Sequence, residues 1–346
     1  MTTALLEHYH RQNRRRAMLV GVMAVIAALG VVLDLVTGPA GLPLGETLRA
    51  LTGAGEVSRT TEVIVWTVRL PVAVVALLVG AALALAGAEM QTVLENPLAE
   101  PFTLGVSSAA ALGAATAIIL GLSLPFLPTR WAISGNAFLF ALGALLLLQA
   151  LGRARGGDPE VLILFGIALN FAAGAFLSLL QFIASADALQ QLVFWTMGSL
   201  AAASWPGAAA LALVLAVTAP FSFRAAWRLT ALRMGEEQAR AFGVDVRALR
   251  RWSLLRVSLL SASAVAMVGV IGFVGLAGPH IARLLVGEDH RFFLPASLLT
   301  GALVMSLAST LSKTIVAGVL LPVGLVTSLI GLPIFFALIM RGRPGR

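Results

Sequence analysis

The chain has 346 residues, 59% of them hydrophobic and 12% charged, with a net charge of +8 and no cysteine. So little charge cannot cover a soluble domain, and the long unbroken apolar runs exclude a transmembrane β-barrel. The lack of cysteine excludes disulfide scaffolds, thiolate metal sites and thiol catalysis, and cations scattered between apolar runs exclude a nucleic-acid-binding face.

In chain order, the first element is a cationic segment, residues 1–16, which contains HYHRQNRRR. It has no signal-peptide cleavage pattern and reads as a cytoplasmic tail. A crossing helix needs about 20 mostly apolar residues. Such stretches follow at 17–36, 63–90, 102–121, 131–151, 161–183, 207–223, 253–274, 293–315 and 322–340. A shorter apolar piece, 279–287, suits a broken or re-entrant helix. Counting it predicts an all-α polytopic membrane protein with about ten transmembrane helices, in two antiparallel pseudo-repeats of five. The membrane body is then 17–340, with a cytoplasmic loop at 223–252 and a cytoplasmic tail at 341–346.

Arginine sets the orientation. RQNRRR precedes span one, Arg153 and Arg155 follow span four, and a dense group runs from Arg224 to Arg256. His290, Arg291 and the terminal RGRPGR complete the set. With ten passes all of these fall on one side, so both termini are expected inside a bacterial cytoplasmic membrane. Trp66, Trp131, Trp195 and Trp205 fall at the opposite interface as an aromatic belt, and Asp187 faces solvent there.

The stretch QTVLENPLAEPFTLGVSSAAALGAA, residues 91–115, breaks the apolar pattern after span two. Asn96-Pro97 ends a helix, because proline removes a donor and restricts the residue before it. The small residues after Gly105 let another helix approach closely. Glu89 reads as a wetted helix end, and Glu95 and Glu100 as groups that cap or bind backbone. A similar break, GFVGLAGP at 272–279, follows span seven. Breaks at matching places in two halves are the trace expected of an inverted repeat around a transport path. After Pro279, His280 reads as a helix start, and Arg283 should pair with a carbonyl or an acid. Asn170, in mid-span five, is either interhelical glue or a path residue.

Within the 223–252 loop, residues 235–242 have a helical pattern. Gly235 is followed by Glu236 and Glu237 in the first turn, then Ala239, Ala241 and Phe242, with Gly243 as the stop. Such a helix, standing off the membrane, can be pushed by a partner; equally, it can be an ordinary amphipathic surface helix. The chain has no energy source of its own. A P-loop needs a lysine after its glycines, and the single lysine, Lys313, has no such motif. There is no HExxH and no GxSxG, and His8, His10, His280 and His290 form no ligand set, so neither a metal site nor an enzyme is expected. Active transport would require a separate ATPase; a channel or secondary transporter would not.

Five segments carry a family resemblance: VRLPVAVVALLVGAALALAGAEMQTVLENPLAEPFTLGVSS, FWTMGSL, MGEEQARAFGV, GFVGLAGPHIARLLVGEDHRFFLP and LPVGLVTSLIGLPIF. Together, in this order across residues 63–340, they resemble the permease subunits of type II ABC importers for ferric siderophores, haem and cobalamin. The resemblance implies two permease subunits around a central path, two cytoplasmic ATPases that hold ATP and Mg, and an extracytoplasmic binding protein. It implies no cofactor on this chain. It makes 235–243 the coupling helix, with Gly235, Glu236, Glu237, Ala239, Phe242 and Gly243 facing the ATPase. It assigns docking of the binding protein to Arg69 and Lys313, and places span five, with Gly166 and Asn170, beside the path. Asn96, Pro97, Pro279, His280 and Arg283 belong to its structural motifs. Four positions depart from the family pattern, all expected near the outer face: Val72 and Lys313 where arginines are usual, and Ser309 and Leu320 where acids are usual. The expected mechanism is alternating access, with a ferric siderophore as first cargo, haem second and cobalamin third. A secondary transporter is the class alternative; it would need intramembrane acids, of which the spans show almost none.

Overall fold

The computed structural model describes residues 2–38, 41–54, 56–123, 128, 131–154, 158–316 and 318–341. Arg155 and residues 342–346, which hold the last of the orientation arginines, lie outside them. Every regular element among the described residues is a helix; there is no strand among them.

Helix α1 (Thr2–Val36) is followed by two short helices, α2 (Leu44–Thr52) and α3 (Arg59–Val63). The latter runs through a π-helical stretch, Ile64–Arg69, into α4 (Leu70–Val93). Next come α5 (Val106–Leu120), α6 (Ala132–Ala154), α7 (Pro159–Ile183), α8 (Ala186–Thr196) and α9 (Trp205–Arg224). A cluster of short elements, α10 (Ala226–Arg233) and α11 (Glu236–Ala241), leads to α12 (Val246–Val268). The chain ends with α13 (Val274–Val286), α14 (His290–Thr314) and α15 (Val323–Arg341). Helix α1 starts well ahead of residue 17 because RQNRRR contains strong helix formers, which extend the span outward in the same helix.

Helix α4 is the axis of the fold. It is apolar on all sides and buried along almost its whole length, as such a helix must be. Small residues let its neighbours reach its backbone. A Cβ at Gly80 would collide with the carbonyl of Gly301 on α14, and one at Gly301 with that of Gly80. A Cβ at Gly87 would collide with the carbonyl of Gly275 on α13. These contacts fix α4, α13 and α14 as one tightly packed unit.

The polar stretch after α4 turns back into the bundle. Gly105, at φ +81°, lies against the backbone of Asn170 and Gly166 on α7. Asn170 is eleven residues into α7, or about 16 Å along it. Helix α5 therefore starts inside the bundle. So does α13, whose second residue, Gly275, sits beside Gly87 rather than beside the end of α4. The two meet through Glu100: its buried Oε1 accepts a hydrogen bond from the backbone N–H of Phe273, 3.4 Å away, at the N-terminus of α13. Phe273 has no side-chain cap of its own and holds a left-handed φ of 67°. Gly331 leaves room for its ring, and Phe335 meets that ring edge-on at 6.3 Å.

Seven helices among the described residues are long and apolar enough to cross a membrane. Three shorter apolar helices, α5, α13 and the first part of α15, complete the predicted set. Two of the short ones are short because they begin within the bundle. The piece placed at 279–287 is α13, which starts at Val274, so Pro279 and His280 lie in mid-helix and His280 is no helix start. Glu89 is not wetted: it is fully buried and paired with Arg256 on α12.

Candidate functional site

One end of the bundle collects the arginines and the short helices α10 and α11. Helix α11 opens at Gly235, whose φ of +117° suits only glycine, and Glu236 and Glu237 then occupy its first turn. Ala239 is buried against the bundle while Phe242 is 56% exposed. The helix ends in a Schellman pattern: Val244 N–H donates to Ala239 O at 3.0 Å, and Gly243 N–H to Arg240 O at 2.9 Å. Gly243 stands at φ +79°, the left-handed position where a side chain is strained.

Two polar chains connect this end to the interior. Arg250 on α12 is buried; its Nε donates to Val93 O at 2.9 Å, and its Nη2 lies 3.5 Å from Glu236 and 3.7 Å from Glu95. It ties the short helix to the end of α4 and to the returning stretch. The second chain starts on α10. Arg233 grips Glu288 with two hydrogen bonds, of 3.0 and 2.9 Å, and Arg283 Nε lies 3.3 Å from the same carboxylate. Arg283 Nη2 then donates to Gln91 Oε1 at 3.1 Å, and Gln91 Nε2 to Gly275 O at 3.3 Å. Nearby, the buried His290 ring is held between Thr92, at 2.8 Å, and Thr230, at 3.3 Å.

Glu288 lies in the turn between α13 and α14, and the Arg233 hydrogen bonds hold its carboxyl below the usual carboxylate range. An acid whose pKa is depressed by folding stabilises at pH values above its unfolded pKa, and this support fades as pH falls through the folded value. Glu288→Gln should therefore melt below the wild type near neutral pH, with the gap closing as pH drops beneath the carboxylate range. The side chain is 41% exposed, so screening keeps the gap under about 1 kcal/mol. Thermal unfolding in detergent from pH 7 to pH 3 checks this; a gap that does not change with pH would separate Glu288 from Arg233.

At the opposite end, Arg69 and Lys313 converge on the C-terminus of α1. Arg69 is buried, and its Nη1 donates to Leu35 O at 3.0 Å and Val36 O at 2.9 Å. These are carbonyls that a helix end leaves unsatisfied. Lys313 Nζ donates to Asp34 Oδ1 at 2.7 Å and Asp34 O at 3.0 Å, and Asp34 itself is fully buried. Val72 and Ser309 are buried near the same end, and Leu320 is exposed. Trp66 Nε1 donates to Ala50 O at 2.9 Å and Trp205 Nε1 to Trp66 O at 3.0 Å, so these rings also join segments.

Besides Arg69 and Lys313 at that opposite end and Pro279 and His280 within α13, the predicted residues fall into three groups. Gly235, Glu236, Glu237, Ala239, Phe242 and Gly243 come together at the arginine-rich end. Asn96, Pro97 and Arg283 lie just inward of them; Asn96 Oδ1 accepts from Leu98 N–H at 2.9 Å in the turn that Pro97 enforces. Gly166 and Asn170 are elsewhere: Gly166 packs on Leu104, and Asn170 accepts a hydrogen bond from Ser108 on α5. Nothing local in the sequence marks Arg250, Arg256, Gln91 or Glu288 as part of these chains. Each is one member of a long-range pair, and only a charged residue inside an apolar run, as at Glu89, could have signalled its partner.

The comparisons with known proteins agree with one another. Residues 25–341 match the model of the FecCD transport family. The hemin transport system permease of Yersinia pestis is 40% identical over 279 residues, covering 81% of this chain and 84% of that protein. The vitamin B12 import system permease of Vibrio vulnificus is 34% identical over 332 residues, covering 96% of both. A metal-chelate type ABC transporter solved in an inward-facing conformation superposes with a TM-score of 0.82 at 30% identity, covering 94% of this chain and 99% of that one. With nearly the whole length matched in sequence and fold, the chain belongs to the FecCD transport family and is a transport subunit, not an enzyme.

Proposed function

We propose that the chain is the membrane permease of an importer that carries a bulky metal chelate inward by alternating access. A separate ATPase drives it and a binding protein delivers the cargo. The observation that carries this reading is α11, with Phe242 exposed at its tip and Glu236 braced through Arg250 to the end of α4. A push on α11 would reach the axis of the bundle through few and short contacts. The two relatives named above are permeases for hemin and vitamin B12. That favours haem or cobalamin over the ferric siderophore expected first.

Ten crossings in two halves of five remain our proposed topology, with the arginine-rich end and both termini in the cytoplasm. A second permease subunit is proposed to cover α7, whose Phe171, Phe176 and Phe182 are 72%, 61% and 88% exposed. Gly166 and Asn170 would set the position of α7 beside the path. Docking of the binding protein is proposed at the end where Arg69 and Lys313 lie. A secondary transporter would need ionisable groups free to couple ions. Among the described residues, Asp34 and Glu89 are fully buried within the spans and each is tied to a cation, while the buried Glu100 is held by the N-terminus of α13.

The test is ATP-driven uptake of haem and of cobalamin by vesicles that hold the permease, its ATPase and its binding protein. Uptake of neither would sink the cargo reading. Phe242→Ala should lower uptake roughly tenfold or more, the scale of a central aromatic anchor, with folded yield unchanged. Wild-type uptake by that variant would leave α11 an ordinary surface helix.

A further inference from the structure

Beside the coupling end, α9 and α12 part to leave a groove of about 550 Å³, roofed by the start of α10. Both walls carry the same gradient. On α9, Phe221 precedes Arg224; on α12, Leu259 and Leu255 lie deep while Trp252 stands at the arginine-rich end. Arg228 on α10 completes the mouth. Phe221 and Trp252 are 54% and 55% exposed, so the groove opens to its surroundings. Arg256, farther in, is neutralised by Glu89. Arg224 rests over the Phe221 ring at 5.6 Å. Among the described residues neither Arg224 nor Arg228 donates a hydrogen bond to the protein. Apolar walls at depth, two unneutralised guanidinium groups at the rim and a tryptophan at the same level match one kind of occupant.

We propose that this groove holds an anionic phospholipid. Its acyl chain lies along Phe221, Leu255 and Leu259, and its phosphodiester meets Arg224 and Arg228. The guanidinium fork suits phosphate oxygens, and tryptophan prefers the headgroup level. The site depends only on α9 and α12 lying in a bilayer, both being helices of crossing length. It does not depend on the cargo or on the coupling role of α11.

The test is native mass spectrometry of the full-length chain in detergent with phosphatidylglycerol or phosphatidylcholine. Each arginine near an anionic headgroup gives about a fivefold preference, so wild type should retain phosphatidylglycerol roughly 25-fold better. Arg224→Gln with Arg228→Gln should abolish that preference. Arg247→Gln with Arg251→Gln, on another face of α12, should keep it. Inorganic phosphate should not displace the lipid, because it cannot fill the apolar walls. Equal retention of the two lipids would overturn the proposal, as would displacement by phosphate. Loss of the preference in the Arg247/Arg251 variant would mean diffuse surface charge instead of this groove. Loss of the lipid when the chain is assembled with its ATPase would assign the groove to that protein and end the proposal too.

Discussion

Gly87→Val should prevent closure of the bundle and remove the protein from the membrane fraction. The new Cβ would overlap the carbonyl of Gly275 and stand 3.0 Å from its Cα. The obstacle is backbone, so no rotamer change in α13 makes room. The helices would have to separate, and the Gly80–Gly301 contact on the same face of α4 would open with them. Ordinary overpacking costs about 1–3 kcal/mol. Here several backbone contacts go together, and we expect a loss above about 4 kcal/mol, the range of named, severe defects. Gly143→Val is the control, since a Cβ at that position meets nothing within 4 Å. Yield of monodisperse protein and its melting temperature are the readouts. Normal yield from Gly87→Val would show that α4 and α13 do not pack as described.

The second large effect comes from the buried pair inside the bundle. Arg256 Nε donates to both oxygens of Glu89, at 3.0 and 3.1 Å, and its Nη2 reaches Glu89 Oε2 and Ser253 Oγ. Glu89 is fully buried and the Arg256 side chain is 11% exposed. Removing one member strands the other without a partner, at a cost of about 3–5 kcal/mol. Glu89→Leu and Arg256→Met should each lose that much. The double variant should return to within about 1 kcal/mol of wild type, because a well-packed apolar pair replaces a buried ion pair at little net cost. A double-mutant cycle measured by thermal unfolding gives the coupling directly. Two single variants as stable as wild type would mean that water reaches this pair.

The two lines of evidence in the sequence, apolar length and punctuation, mark most long helices to within a few residues, but not the start of α1 at Thr2 or α12, which runs Val246–Val268 instead of 253–274. They also placed the turn at Asn96-Pro97 and the stop at Gly243, because both depend on local backbone chemistry. They misjudged α13 because GFVGLAGP reads as a break from either side, and only Glu100, distant in the chain, supplies the missing cap for Phe273. Glu89 was misread for the same reason. An acid near a helix end looks solvated until Arg256, 167 residues away, is seen beside it. Arg69 and Lys313 stood out as cations at a helix edge, but their partners at the end of α1 leave no local mark. What the sequence concealed is pairing across the fold, which no periodicity encodes.

The bond from Phe273 to Glu100 spans 173 residues, and this sets an order of events during synthesis. At typical translation rates of about 5–20 residues per second, Glu100 leaves the ribosome roughly 10–35 seconds before Phe273. Throughout that interval the carboxylate lacks the backbone donor that later satisfies it, and an unsatisfied polar group is costly to withdraw from water. The returning stretch 94–105 is then expected to stay hydrated until the second half of the chain supplies α13. A ribosome-arrested chain ending before residue 273 should leave a cysteine at Ala99 open to a water-soluble thiol reagent, and the finished protein, in which Ala99 is buried, should shield it.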